Sequence, residues 1–292
     1  MASGENFVAT VEEGLETMIA SARAEGEFPA DVMLKACDRE RLSENSGTAW
    51  REFLAAKLTA QNYSETQDIE NSQELDGSIL SATPQLAGIL VFIGDRVPMR
   101  LSRKAFDTFG GLSQAAMHRK MDTDGLAMAA TATTTLAGSG TTLTSGHVRA
   151  GVRRITSDAT EPGLPPINLV LHGYGLHDIE SQVLSGVGTY PIPEGYTAQV
   201  YMQGYRGMLA TANVYEDGLI SIDSTPDARG MVFAKRALIC VQGKSPWVAK
   251  ERVEKKGYGG WNVYHRDEYI WAERSPGNWL FGILHDATAP TS

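Results

Sequence analysis

"VLHGYG", from Val170 to Gly175, places a histidine and two glycines directly after an apolar run. A His-Gly-x-Gly turn there could offer backbone N–H groups to a developing oxyanion, as acyl-transfer chemistry of the α/β-hydrolase kind requires. That chemistry also needs a nucleophile elbow, Gly-x-Ser-x-Gly, further along the chain, and the sequence contains no such pentapeptide. The nearest approach, "GLSQA" around Ser113, lies upstream within a helical pattern. The turn is therefore expected to be structural. "VQGKSPW" holds Gly243-Lys244-Ser245, the tail of a phosphate-binding loop, but the required earlier glycine is replaced by Leu238. Without it the backbone cannot cradle a phosphate.

Metal and redox chemistry find little support. The six histidines (His118, His147, His172, His177, His265, His285) include no pair four apart on one helix face. His172 and His177, with Asp178, would need a third ligand supplied by folding. Cys37 and Cys240 are far apart in sequence and show no metal-type spacing, which suits a reducing compartment. Arg149, Arg153 and Arg154 cluster on one short helix, and a solvated face or subunit contact is the expected reading. No catalytic constellation, cofactor site or metal site emerges.

The chain that must position these residues has 292 residues, 42% of them hydrophobic, and a formal net charge of −9. Such an acidic balance argues against a protein whose task is gripping nucleic acid. The N-terminal stretch lacks a hydrophobic signal core, and the longest apolar run, "AGILVFIG", is far too short for a membrane helix. A soluble cytoplasmic product is expected.

Periodicity predicts three short helices first: one carrying Val11, Leu15, Met18 and Ile19, one carrying Val32, Met33, Ala36 and Cys37, and one carrying Trp50, Phe53, Leu54 and Leu58. A long helix is expected from about Lys104 to Ala132, with a bend at Gly110-Gly111. "TSGHVRAGVRRITS" predicts another helix with Thr144 or Ser145 as N-cap. "PPINLVLHGY" reads as a buried strand and "GLHDIESQVLSG" as a helix. From Tyr196 the pattern is β-rich: "AQVYMQGY", "GMLATANVY", "GLISI", "GMVFAKRALICVQG", "NVYHRDEYIWAERS" and "NWLFGILHD". Helices and strands in this order make an α+β protein.

One segment stands apart. Asn62–Val97, "NYSETQDIENSQELDGSILSATPQLAGILVFIGDRV", begins with Glu65, Asp68, Glu70, Glu74 and Asp76, without a Lys or Arg among them, and ends as an apolar strand. An arm of that composition cannot fold on itself: either it is disordered, or it folds against something it does not contain. With the long helix ending "AMAATATTTL", then "GTTLTSGHVRAGVRRI", "INLVLHGYGLHDI" and the closing strands, the order resembles the major capsid proteins of tailed bacteriophages, of the Hong Kong 97-type capsid fold.

That resemblance implies an N-terminal arm (1–58), an extended two-stranded loop (59–98), a spine helix opening a peripheral domain (99–140), an axial domain (141–235) and a return to the peripheral domain (236–292). It implies hexamers and pentamers closing an icosahedral head in the virion around a dsDNA genome. The acidic arm would then meet a basic strip on the next subunit, drawn from Arg96, Arg100, Arg103, Lys104, Arg119 and Lys120. A separate scaffolding protein and a portal protein are implied partners, with a decoration protein as a further one, and with weak non-specific contact to packaged DNA and none to membrane. Between Lys57 and Arg96 there is no lysine, so the isopeptide chain-mail of some relatives is expected to be absent. The alternatives are an encapsulin-like nanocompartment shell, a hydrolase using His172, and a β-rich adhesion or tail protein.

Overall fold

The computed structural model describes residues 31–42, 47–55, 58–60, 62, 77–95, 103–159, 161–187, 208–255 and 259–291. The helix expected over residues 11–22, the acidic arm and the strand "AQVYMQGY" lie outside them. The described chain opens with helix α1 (Val32–Ala36), whose Met33, Leu34 and Ala36 are buried. It continues into strand β1 (Asp38–Arg41).

Trp50–Leu58, read above as a helix, is corrected by the structure. Trp50–Ala55 is strand β2, paired antiparallel with β3 (Gly77–Ala82). Trp50, Phe53 and Leu54 do fit helical spacing. The decisive interaction is non-local: Trp50 sits opposite Ala82, and the two enter the core together. Local propensity is weak enough to be overridden by such pairing.

β4 (Gln85–Gly94) is the apolar strand foreseen in "AGILVFI". Helix α2 (Arg103–Ala127) follows, 25 residues long and so about 37 Å at ~1.5 Å per residue. It passes through Gly110-Gly111 without interruption and ends in a 3-10 turn at Met128–Ala130. After β5 (Thr135–Ala137), α3 (Ser145–Thr156) starts at the predicted Thr144 cap, where Nδ1 of His147 accepts the Thr144 N–H at 3.3 Å. Strand β6 (Ile167–Leu171) and helix α4 (Gly173–Val187) match their expected positions.

The C-terminal region supplies β7 (Met208–Leu209), β8 (Ala212–Glu216), β9 (Asp227–Ala234), β10 (Leu238–Gln242), β11 (Trp247–Val253), β12 (Gly260–Glu273) and β13 (Leu280–Asp286). "GLISI" is no strand; Ile222 makes an isolated bridge to Ala228.

Among the described residues the strands form three sheets: β5-β13-β9-β6-β8-β7, a second running β1-β10-β12-β11 with β4 added on β12, and the β2-β3 pair. Along one edge β12 takes β10 opposite Tyr269–Glu273 and then β11 opposite Gly260–Arg266. Its other edge takes β4, from Gln85 opposite Tyr269 to Gly94 opposite Gly260.

Strand alternation assigns every layer. Ile167, Leu169 and Leu171, with Val232, Ala234, Phe281 and Ile283, face helices α3 and α4 through Val148, Val152, Ile155, Leu176 and Ile179. The intervening Val170, Met231, Phe233 and Leu280 face the opposite way. They meet α1, the C-terminal half of α2, and Leu238, Cys240, Tyr269 and Trp271 of the second sheet. The far face of that sheet, Ile239 and Val241, holds Trp50 and Ala82 at the root of the β2-β3 ribbon. Helices α1 and α2 are thus clamped between two sheets, and the β2-β3 ribbon is rooted on the far face of the second.

Candidate functional site

The turns that suggested catalysis are structural. Gly173 begins helix α4, and Nδ1 of His172 accepts the Tyr174 N–H at 3.2 Å. Among the described residues no hydroxyl or thiol is hydrogen-bonded to this imidazole, and Ser113 lies in α2. Burial, then the neighbouring His285, hold its pKa below the ordinary imidazole value. In the Gly-Lys-Ser turn the Gly243 and Lys244 N–H groups go to Glu268, at 2.7 Å to its carbonyl and 3.2 Å to its carboxylate. A carboxylate holds the place a phosphate would need. Among the described residues no cluster of three metal-ligating side chains occurs. Cys37 and Cys240, distant in sequence, lie in one core, and burial raises both thiols, Cys240 to about 12.

The β2-β3 ribbon is built to be held at its root and open at its sides. Trp50 packs against Ile239 and Val241, and its Nε1–H donates to Glu40 at 2.9 Å. Beside it the guanidinium of Arg274, 9% exposed, meets Glu52 of β2 at 2.6 Å, Asp38 of β1 at 2.8 Å and Glu40 at 3.4 Å. Burial opposes its charge, but the hydrogen bonds it donates to Glu52 and Asp38 more than offset that, and its pKa is raised. One step outward, Phe53 and Ile79 face each other directly across the ladder, 52% and 65% exposed. A cross-strand apolar pair left in water by its own chain marks a contact surface more than a core.

A second projecting element is the β4-β12-β11 ribbon. Leu86 and Leu90 on β4, Val248 on β11 and Trp261 on β12 are exposed. Near its tip Arg252 bridges Asp95 at 2.6 Å and Glu254 at 2.6 Å, which raises its pKa, and it stacks over Trp261.

Between the sheets, Trp271 lies against α2. Its Nε1–H donates to the Met121 carbonyl at 3.0 Å, and the absence of a side chain at Gly125 is what admits the ring. Next to it are two wholly buried carboxyl groups, Asp122 of α2 and Asp217 of the turn after β8. Burial, followed by a hydrogen bond to Asp217, pushes Asp122 up to about 8. Tyr269 is raised too, by burial and by donating to Asp124 at 2.7 Å.

Of the residues proposed from sequence, Glu65, Asp68, Glu70, Glu74, Asp76, Arg96 and Arg100 fall outside the described residues. Arg103 and Lys104 stand in the first turn of α2, and nothing is described of their side chains. Arg119 and Lys120 are exposed on α2, and Lys120 pairs with Asp124 at 2.9 Å. The anchor of Arg274, Glu52 and Asp38 was missed, as was the Asp122–Asp217 pair. The only local cue was the "EDG" turn signal that contains Asp217.

No protein-family model matches the chain, and no curated protein does. Solved structures do. The cyanophage Pam1 capsid subunit superposes with a TM-score of 0.68 at 11% identity, over 99% of this chain and 100% of that one. A chain from Mycobacterium phage Che8 gives 0.63 at 14% identity, over 89% and 92%. The holo-SrpI encapsulin from Synechococcus elongatus gives 0.63 at 8% identity, over 99% of each chain. The α+β architecture described above is therefore the Hong Kong 97-type shell fold, shared by phage heads and an encapsulin.

Proposed function

We propose that this chain is the major capsid protein of a tailed bacteriophage, a non-enzymatic subunit that self-assembles as hexamers and pentamers into the icosahedral head around dsDNA. The observation that carries the reading is the β2-β3 ribbon. It projects from the outer sheet with Phe53 and Ile79 uncovered, on a fold that matches a phage capsid subunit end to end. A two-stranded ribbon alone is marginal in water, so its apolar pair needs a neighbouring copy to cover it.

In this reading the arm occupies residues 1–58, the extended loop 59–98, the spine 99–140, the axial domain 141–235 and the returning peripheral segment 236–292. The ribbon's outgoing strand, Trp50–Ala55, comes from the end of the arm. The acids from Glu65 to Asp76 meet the basic strip of the next copy. Assembly in the host cytoplasm uses a separate scaffolding protein and a portal, and decoration is a further partner. The chain's net charge of −9 supports weak contact with packaged DNA. An encapsulin-like shell is the second reading, supported by the match to the SrpI subunit over nearly its whole length.

Size-exclusion chromatography with light scattering and electron microscopy of the purified chain test both. Closed shells or free hexamers and pentamers are expected, and a phage-sized diameter separates a head from a nanocompartment. A chain that stays monomeric with scaffolding candidates and crowding agents present overturns both readings.

A further inference from the structure

Asp122 and Asp217 are each 0% exposed and come from different parts of the fold, one from the spine helix and the other from the turn after β8. Their four oxygens divide evenly. Oδ1 of Asp122 accepts the Met33 N–H of α1 at 2.8 Å, and Oδ1 of Asp217 accepts the Leu219 N–H at 2.8 Å. Both Oδ2 atoms are left without a conventional donor, yet the two carboxyl groups are hydrogen-bonded to each other. Two carboxylates cannot make such a bond; one proton must lie between them.

We propose that Asp122 and Asp217 hold one proton between their Oδ2 atoms, and that this proton is a latch joining the arm helix, the spine helix and the β8 turn. With the proton in place the three elements are one unit. When alkali removes it, two buried negative charges repel and the unit they hold opens as a whole; the Met33 segment, tied to Asp122 through its N–H, reports that opening.

Among the described residues no cation acts on Asp122; Arg39 of β1 acts on the neighbouring Cys37 instead. From the arm, Asp31 faces the pair already bridged to Lys35, and Cys37 is a neutral buried thiol. His172, facing Asp217 from the β6-α4 junction, is held neutral by burial and by His285 of β13, and Glu216 of β8 adds only negative charge. On β12, Tyr269 is hydrogen-bonded to Asp124, the acid that Lys120 neutralises. Met33 N–H is the one influence favouring ionised Asp122.

Hydrogen–deuterium exchange of the full chain, read at the Met33–Ala36 peptide and corrected for intrinsic rates, tests this. In the unsubstituted protein, protection is expected to fall about tenfold or more between about pH 6.5 and about pH 9.5. In Asp122→Asn the amide donates to Asp217 without needing a proton, so the profile is expected to be flat. An unsubstituted profile that is flat, or an Asp122→Asn profile that falls as steeply, overturns the latch. If Asp122→Asn does not fold, Asp217→Asn carries the same expectation. If neither folds, infrared spectroscopy of the unsubstituted chain decides. A protonated-carboxyl band that survives Glu273→Gln and disappears above neutral pH upholds the shared proton, and its absence at neutral pH removes it.

Discussion

Nε of Arg274 lies 2.6 Å from Oε2 of Glu52, so a residue just past the end of β12 grips the outgoing ribbon strand across 222 positions of sequence. With Asp38 and Glu40 on the same guanidinium, three carboxylates depend on one cation. Arg274→Met should destabilise the subunit by about 1–3 kcal/mol, less than a fully buried pair would lose because the acids are partly solvated. Arg274→Lys keeps the charge without the fork and should fall between. Urea midpoints, together with proteolysis at the ribbon root, measure this. Unsubstituted values for Arg274→Met in both would remove the anchor.

Phe53 and Ile79 are the ribbon's outward pair. Phe53→Asp with Ile79→Asp should leave the subunit's circular dichroism and urea midpoint within about 0.5 kcal/mol of the parent, since exposed substitutions change little. Shell or capsomer yield should collapse. Normal shells from the double variant would mean that these side chains are not a subunit contact.

Charge carries a second, separable prediction. Replacing Glu70, Glu74 and Asp76 with Lys should lower assembly yield, as should raising the salt concentration, because exposed pairs of about 0–1 kcal/mol each are screened and lost together. Yield indifferent to both treatments would discard the contact between acidic arm and basic strip.

At Gly125 two effects oppose. Alanine favours a helix by about 1 kcal/mol, but its Cβ would come within 2.8 Å of the Trp271 ring and 3.1 Å of Met33 Cβ. Overpacking of about 1–3 kcal/mol wins, so Gly125→Ala should be net destabilising and should shift tryptophan emission. A variant as stable as the parent would show that the ring has room to move.

His172 gives an acid-side prediction. Its pKa is lowered in the folded state, first by burial, so the stability it contributes is present above the ordinary imidazole value of 6.5 and is lost as pH falls below it. Asp122 acts in the opposite sense. Its pKa is raised to about 8, so its contribution is complete below the usual carboxylate range and is lost as pH rises through that value. His172→Gln should therefore lose less stability than the parent between about pH 7 and about pH 5, compared at each pH by urea midpoint. Parallel curves would exclude the histidine as the source.

Much of the fold was legible wherever a segment's own pattern decided its structure. The spine helix, the Thr144 cap and the wholly buried "INLVL" strand all follow from local periodicity and capping. Strands whose identity comes from a partner were not legible. "DRER" has no apolar face, yet it forms β1 by running parallel beside β10. "WVAKERV" passed unread because its pairing with Gly260–Arg266 is what makes it β11. The same limit hid Arg274 and the acid pair. Nothing in "AERSP" or "KMDTDG" tells which charged residue will be enclosed by distant elements, 222 positions away for Arg274 and Glu52 and 89 for Asp122 and Met33.

β12 has a mechanical meaning beyond its pairing. Fourteen residues long, about 46 Å at ~3.3 Å per residue, it is flanked on both edges for most of its length, which stiffens it as a beam. One end carries Trp261, close to the Arg252 cluster; near the other, which finishes at Glu273, Trp271 is seated on α2 at Met121. A load applied by a neighbour at the tip would be delivered as torque at the spine. If the chain builds a shell as proposed, the bond from Trp271 to Met121 is the fulcrum about which it would tilt as that shell changes radius.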